Sequence, residues 1–308
     1  MKKTLRIGTR DSELALWQAR KVQSLLEALG YPTTLVPVKS QGDLTLDIPL
    51  YTMGITGVFT KVLDVAMLQG VIDIAVHSMK DVPTTLPKGI IKGAILKRAN
   101  VQDVLVYKEN LDFLSHTHAT IATGSLRRKA QWLRRFPTHL VENLRGNINT
   151  RLEKLHKSPW QGAIFAAAAL ERLDKKEVNA FPLDWMTPAP AQGAIMVVSK
   201  AEDTYTKEAL ALINDQPTDI ETNIERRFLK RLEGGCTAPI GAKATLDGKT
   251  ISFVGNLFSL DGKHAIEVKK TISLDDIENF PEACADEILL KGGADLMQEI
   301  RKVMNIQK

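Results

Sequence analysis

The sequence repeats one arrangement of polar residues at the junctions between strand-like and helix-like segments. Ile7-Gly-Thr-Arg10-Asp-Ser12 lies where a strand pattern hands over to a helix pattern. A helix N-terminus offers unpaired N–H donors and the positive end of the helix dipole. Ser12 is a capping residue type, and Arg10 offers a planar fork for a carboxylate or phosphate. Thr123-Gly-Ser125-Leu-Arg127-Arg128 has the same layout, with two arginines in the first turn. Cations there oppose the dipole, so the pattern asks for an anion at that end. Leu144-Arg145-Gly146-Asn147 with Arg151 makes a third cationic turn, and Arg172 follows the next strand–helix unit. Between Arg127 and Lys157 there are nine Lys/Arg and two acids, Glu142 and Glu153.

Two further segments carry chemistry. His77-Ser-Met-Lys80-Asp81-Val-Pro83 directly follows the most apolar strand candidate, so it emerges at a sheet end. Asp81 has the chemistry of a general acid/base or cation stabiliser, and Lys80 that of an anion contact. The competing reading is that Asp81 organises the turn before Pro83. Cys236 lies in a Gly-Gly-Cys turn before Pro239. A lone Cys is commonly a small buried hydrophobe, whereas glycines leave room for a nucleophile or a covalent attachment point. Cys284 falls in a helix pattern and reads as structural. Gly54 and Gly57 make only a weak phosphate-loop pattern, because the Gly-Lys-Ser/Thr ending is missing.

Composition narrows the classes. The chain has 308 residues, 44% of them hydrophobic and 25% charged, with 41 basic and 36 acidic side chains. These are ordinary globular values, sufficient for two or three domains, and the net charge of +5 is mild. The basic stretch contains only Trp132 and Phe136 as aromatics, at helical spacing that suits core packing, so nucleic-acid stacking platforms are not indicated. Two cysteines and six scattered histidines give no disulfide framework and no metal-ligand spacing. No apolar run is long enough to span a bilayer, and the N-terminal lysines precede charge rather than a signal-type apolar core. The expectation is a soluble cytoplasmic protein that binds no metal, no membrane and no nucleic acid.

The positioning elements alternate. Strand patterns at 5–9, 34–38 and 72–76 alternate with helix patterns at 12–29 and 58–68. Strand patterns at 119–123, 139–143 and 162–165 alternate with helices at 126–136, 150–156 and 166–173. Alternation of this kind argues for open, mostly parallel α/β sheets, whose ligands lie beyond the carboxyl ends of the strands. Arginines after several separate strands fit one cleft holding a small polyanion. After about residue 220 the pattern changes to a helix at 221–232, hairpins at Asp247-Gly248 and Asp261-Gly262, and a helix at 281–304 broken near Gly292-Gly293.

Six segments, in one consistent order, resemble the porphobilinogen deaminase (hydroxymethylbilane synthase) family of tetrapyrrole biosynthesis. They are Arg10-Asp-Ser12 with Leu14-Ala-Leu-Trp-Gln18, Ala75-Val-His-Ser-Met-Lys-Asp-Val-Pro83, Ser125-Leu-Arg-Arg128, Leu144-Arg-Gly-Asn147, Ala189-Pro-Ala-Gln-Gly193, and Leu232-Glu-Gly-Gly-Cys-Thr-Ala-Pro-Ile-Gly241. The resemblance implies an α/β fold of two doubly wound, periplasmic-binding-protein-like lobes plus a small α+β C-terminal domain. Residues 1–98 with 194–215 would form domain 1, 99–193 domain 2 and 216–308 domain 3. It also implies a monomer with a dipyrromethane cofactor held by a thioether to Cys236. The activity implied is head-to-tail condensation of four porphobilinogen molecules with loss of ammonia, then hydrolytic release of hydroxymethylbilane.

In that resemblance Asp81 is the catalytic residue. Ser12, Lys80, Asp81, Thr123 and Ser125 contact the cofactor, as do Arg127, Arg128, Arg145 and Gly146, with Gln192 and Gly193 at the crossover. Arg10, Arg145, Arg151 and Arg172 bind substrate carboxylates. Thr52 and Thr56 stand where lysines are usual, in a segment with the place of a lid. Gly124 replaces a usual Ser or Thr, and Met196-Val-Val198 a usual Gly-Ile-Glu stretch. A two-lobed binding protein for a small polyanion is the alternative from another class.

Overall fold

The computed structural model describes residues 2–38, 60–232 and 238–306. The chain forms two compact units, one from residues 2–38, 60–99 and 192–220, the other from 100–191 and 221 onward. Cys236 and the segment carrying Thr52, Gly54, Thr56 and Gly57 lie outside the described residues.

The first unit contains β1 (Leu5–Thr9), α1 (Glu13–Ala28), β2 (Thr33–Pro37), α2 (Lys61–Leu68), β3 (Ile74–Ser78), β4 (Ile90–Ile95), β10 (Ile195–Lys200) and α6 (Thr204–Ala211). Its sheet runs β2-β1-β3-β10-β4. The first three strands are parallel, and β10 is antiparallel to both neighbours. Such a sheet, covered on both faces, needs strands without polar alternation, and β3 is buried along Ile74–His77. Leu5, Ile7, Ile74, Val76, Ile195 and Val197 pack with Ala19, Val22 and Leu26 of α1.

The second unit opens with β5 (Asp103–Tyr107), β6 (Thr120–Ala122), α3 (Leu126–Arg135), β7 (Leu140–Glu142), α4 (Ile148–Lys157), β8 (Gly162–Ala166), α5 (Ala167–Arg172) and β9 (Ala180–Pro182). The sheet order β7-β6-β8-β5-β9 reproduces that of the first unit, again with three parallel strands followed by one antiparallel strand. Because side chains alternate across a strand, Val104 and Val106 join Phe165, Leu152 and Leu155 on one face. Leu105 joins Ile121, Ile164 and Trp132 on the other. The antiparallel strands β5 and β10 each come soon after the chain passes from one unit to the other, at 99/100 and 191/192, which explains why neither belongs to the simple strand–helix alternation.

The remaining elements are α7 (Gln216–Arg231), β11 (Ile240–Asp247), β12 (Thr250–Phe258), β13 (Ala265–Ser273), α8 (Phe280–Ile288) and α9 (Ala294–Ile306). The three strands form an antiparallel meander. Phe228 of α7 and Phe280 of α8 meet Phe253 of β12 edge to face, with ring centroids 5.2 Å and 5.8 Å apart. Helix α7 starts at Gln216, a turn earlier than the sequence pattern indicates. The break after α8 is real, with Gly292 at φ 98°. Cys284 is buried on α8, and burial pushes its thiol up to about 11, in keeping with a structural role.

Candidate functional site

Each unit carries its own cluster of motif residues. In the first, β3 ends at Ser78 and a single 3-10 turn, Met79–Asp81, follows. The turn is closed by Val82 N donating to Met79 O at 3.1 Å, while Met79 N donates to Ala194 O at 3.0 Å. The Asp81 carboxylate does not organise it. That carboxylate is half-buried, and among the described residues no side chain donates to it. Lys80 Nζ donates to Gln192 Oε1 at 3.2 Å, and Arg98 Nε donates to Gln192 O at 2.9 Å. Gln192 is fully buried, and Gly193 takes φ 86° beside it. The structure thus brings Lys80, Asp81, Gln192 and Gly193 together.

Arg10 and Ser12 end β1 and open α1 in the same unit. Ser12 occupies the N-cap position with extended backbone, but its side chain makes no capping bond. The expectation that it caps α1 is therefore corrected, and its hydroxyl remains available. Arg10 lies close enough to His77 to oppose its protonation. Burial and that charge together hold the imidazole down to about 4. Ser78 Oγ accepts from Gln18 Nε2 at 2.8 Å, bracing the end of β3 against α1.

In the second unit, Ser125 caps α3 by accepting from Arg128 N at 3.4 Å, and Thr123 Oγ1 accepts from Ser125 N at 3.2 Å. Arg127 and Arg128 are buried, at 4% and 6% exposure. Their charge conflict with the helix dipole is met from within the chain. Arg127 Nη1 donates to Asp103 Oδ2 at 2.7 Å, and Arg128 Nε to Asp103 Oδ1 at 2.9 Å. Arg127 Nη1 also donates to Thr187 O, and Arg128 Nη1 to Ile164 O. One fully buried carboxylate therefore serves two guanidiniums. Arg127 Nε is buried and has no partner among the described residues.

The third cationic turn follows β7. Arg145 is buried, and that burial lowers its guanidinium below its ordinary value. Gly146 takes φ 117°, and a Cβ there would stand 2.8 Å from Thr150 Cγ2, so only glycine fits without displacing α4. Arg151 Nε donates to Gly146 O at 2.7 Å, and Asn147 caps α4 by accepting from Thr150 N at 2.9 Å. Arg172, in the last turn of α5, is pushed by burial down to about 10. Thr123, Ser125, Arg127, Arg128, Arg145, Gly146, Arg151 and Arg172 all follow the parallel strands β6, β7 and β8, the end of the sheet where α/β proteins bind ligands.

Asp103 is the buried partner of Arg127 and Arg128, and the motif reading misses it. Its signal is present: an acid opens the apolar run Asp103-Val-Leu-Val-Tyr107, and a buried acid requires cations. Among the described residues no group of three or more His, Cys, Asp or Glu could hold a metal ion. Among them no helix is long and apolar enough to cross a membrane.

A ligand bearing several carboxylates and pyrrole N–H groups fits these donors. The second unit offers arginines to anionic groups, with a buried Arg127 Nε that has no partner among the described residues, and the Asp81 carboxylate of the first unit, which has no side-chain donor among the described residues, can accept from N–H groups. Comparison with known proteins agrees. Residues 5–208 match the family model "Porphobilinogen deaminase, dipyromethane cofactor binding domain", and residues 220–290 match the porphobilinogen deaminase C-terminal domain. Curated porphobilinogen deaminases of Moorella thermoacetica and Trichlorobacter lovleyi are each 40% identical to the chain over 302 residues. They cover 96% and 97% of it, and the same shares of their own lengths. That of Campylobacter hominis is 41% identical over 307 residues, 97% of this chain and 99% of its own. These matches define a transferase-type enzyme with a dipyrromethane-cofactor-binding domain. The chain belongs to the porphobilinogen deaminase family. The alternative of a solute-binding protein is not favoured.

Proposed function

We propose that the chain is a monomeric, cytoplasmic hydroxymethylbilane synthase. It joins four porphobilinogen molecules head to tail, releases ammonia at each condensation, and lets water release the linear product. The dipyrromethane group, held by a thioether to Cys236, supplies the pyrrole carbon onto which the first substrate is joined.

The chain's own residues do the rest. Asp81 accepts hydrogen bonds from pyrrole N–H groups, assists proton transfer to the leaving amine, and stabilises the cationic substrate carbon left behind. Lys80, oriented by Gln192, holds an anionic side chain next to it, with Gly193 leaving room. Ser12, Thr123, Ser125 and the Gly146 turn supply neutral hydrogen-bonding groups to the cofactor. Arg127 and Arg128, fixed by Asp103, hold cofactor carboxylates, and Arg145 serves both cofactor and substrate. Arg10, Arg151 and Arg172 bind the acetates and propionates of incoming substrate as forks, which Lys does less well.

The observation that carries this reading is the Asp81 carboxylate, placed at the end of a buried strand with no side-chain donor among the described residues. Intact mass and turnover test it together. The wild type should carry a mass excess of two deaminated porphobilinogen units, and Cys236→Ser should lack it. Asp81→Ala should fold and lose turnover by at least about a hundredfold. Near-normal turnover in Asp81→Ala, or the same adduct on Cys236→Ser, would refute the assignments.

A further inference from the structure

Asn256 sits in the middle of β12 at 2% exposure, a position where an apolar side chain costs less to bury. Both ends of its amide are committed. Asn256 Oδ1 accepts from Gly241 N at 3.1 Å across the β11–β12 pair. Asn256 Nδ2 donates to Thr187 Oγ1 at 2.7 Å. Thr187 is tied in turn to α3. Its N donates to Gln131 Oε1 at 2.7 Å, and its O accepts from Gln131 Nε2 at 3.0 Å and from Arg127 Nη1 at 2.7 Å. Ala242 N adds a parallel tie to Pro188 O at 3.0 Å. The junction is closely packed: a Cβ on Gly241 would stand 2.5 Å from Asn256 Oδ1 and 2.9 Å from Thr187 Cβ.

One chain of hydrogen bonds therefore runs from Arg127, through Thr187 and Asn256, to Gly241. Gly241 is five residues after Cys236 in sequence. Asn256 is buried and Thr187 half-buried, and connected hydrogen bonds in such surroundings restrain their members to a common arrangement. An apolar residue at 256 would fill the volume but could not fix that spacing. We propose that Asn256 is a positioning residue, which through Thr187 sets the register between the Arg127 guanidinium and the strand that follows Cys236. The inference rests on the reading of Cys236 and Arg127 as cofactor contacts. A displacement of about 1 Å between anchor and carboxylate clamp is enough to slow a positioned reaction by up to about a hundredfold.

The test uses Asn256→Leu, Thr187→Val, their double variant and the conservative Thr187→Ser, all in the full-length chain. Four readouts are taken: intact mass, thermal midpoint, hydrogen exchange of the 240–246 strand, and kcat and KM per loaded molecule. Asn256→Leu and Thr187→Val should keep the covalent mass excess and lower kcat about tenfold or more, and Asn256→Leu, which removes the acceptor of the Gly241 amide, should also speed that amide's exchange. The double variant should fall no further than the worse single one, because both substitutions remove the same Asn256–Thr187 bond. Thr187→Ser should stay near wild type. Wild-type kcat in both single variants overturns the proposal, as do multiplicative losses in the double variant. If Asn256→Leu fails to fold, Thr187→Val against Thr187→Ser decides alone. A wild-type chain that gains no mass after incubation with porphobilinogen refutes the cofactor reading itself, which the variant kinetics do not.

Discussion

Asp103 Oδ2 lies 2.7 Å from Arg127 Nη1, and the two side chains are 0% and 4% exposed. The other carboxylate oxygen takes Arg128 Nη2 at 2.7 Å. This pairing changes the meaning of the arginine-rich turn. Under the proposed function it is a braced clamp, its two guanidiniums already oriented by one carboxylate. Preset orientation lowers the ordering cost of binding.

Removing the brace exposes its role. Asp103→Asn keeps the shape and removes the carboxylate charge that pairs with both buried guanidiniums. Breaking a buried pair in this way costs about 3–5 kcal/mol. Urea unfolding should show that loss, and a change below about 1 kcal/mol would show that another group neutralises the cluster.

His77 makes the fold acid-sensitive. Its folded value lies at about 4, below the ordinary 6.5, because burial and Arg10 disfavour the charged ring. Between these values the unfolded chain binds a proton that the folded chain does not. Stability therefore falls as pH drops from about 6.5 towards 4, by up to about 3 kcal/mol. Thermal midpoints measured across that window should decline in the wild type and flatten in His77→Leu.

A second, lower window belongs to Asp73. Burial favours its neutral form, but hydrogen bonds from Arg6 and Lys3 outweigh it and bring the carboxyl to about 2. The folded value lies below the unfolded one, so the contribution is complete above about 4 and is lost as pH falls towards 2. It amounts to roughly 2 kcal/mol. Asp73→Asn should lower stability at neutral pH and shrink the acid-induced loss below pH 4.

Gly262 and Gly248 both take positive φ in hairpin turns, at 75° and 57°. A Cβ at Gly262 would stand 2.2 Å from Ala130 O and 2.8 Å from Arg134 N, both backbone atoms of α3. A Cβ at Gly248 meets nothing within 4 Å. Gly248→Ala should cost about 1 kcal/mol from backbone strain alone. Gly262→Ala should cost at least about 2 kcal/mol more, because the hairpin must move off the helix. Equal losses in the two variants would contradict the packing of this hairpin on α3.

Much of the fold is legible locally. Apolar runs ended by Gly30, Gly70 and Ser125 mark the strand–helix order, since periodicity and capping act within a few residues. β3 falls at Ile74–Ser78 rather than at 72–76. Asp73 is drawn instead into the ion pairs with Arg6 and Lys3, a contact across 67 residues of sequence. The strands β4, β5, β9 and β10 escape the alternation pattern. Whether such runs insert antiparallel into a sheet depends on which sheet receives them.

The sequence by itself determined the family, the cationic turns and the motif residues around Asp81, because residue type and spacing carry that information. Only the tertiary structure decided which charges answer one another. Ser12 opens α1 without capping it, Asp103 meets Arg127 and Arg128 from another strand, and Asn256 reaches Thr187 from another sheet. Those pairings depend on a few ångströms between elements distant in the chain, and no local pattern encodes them.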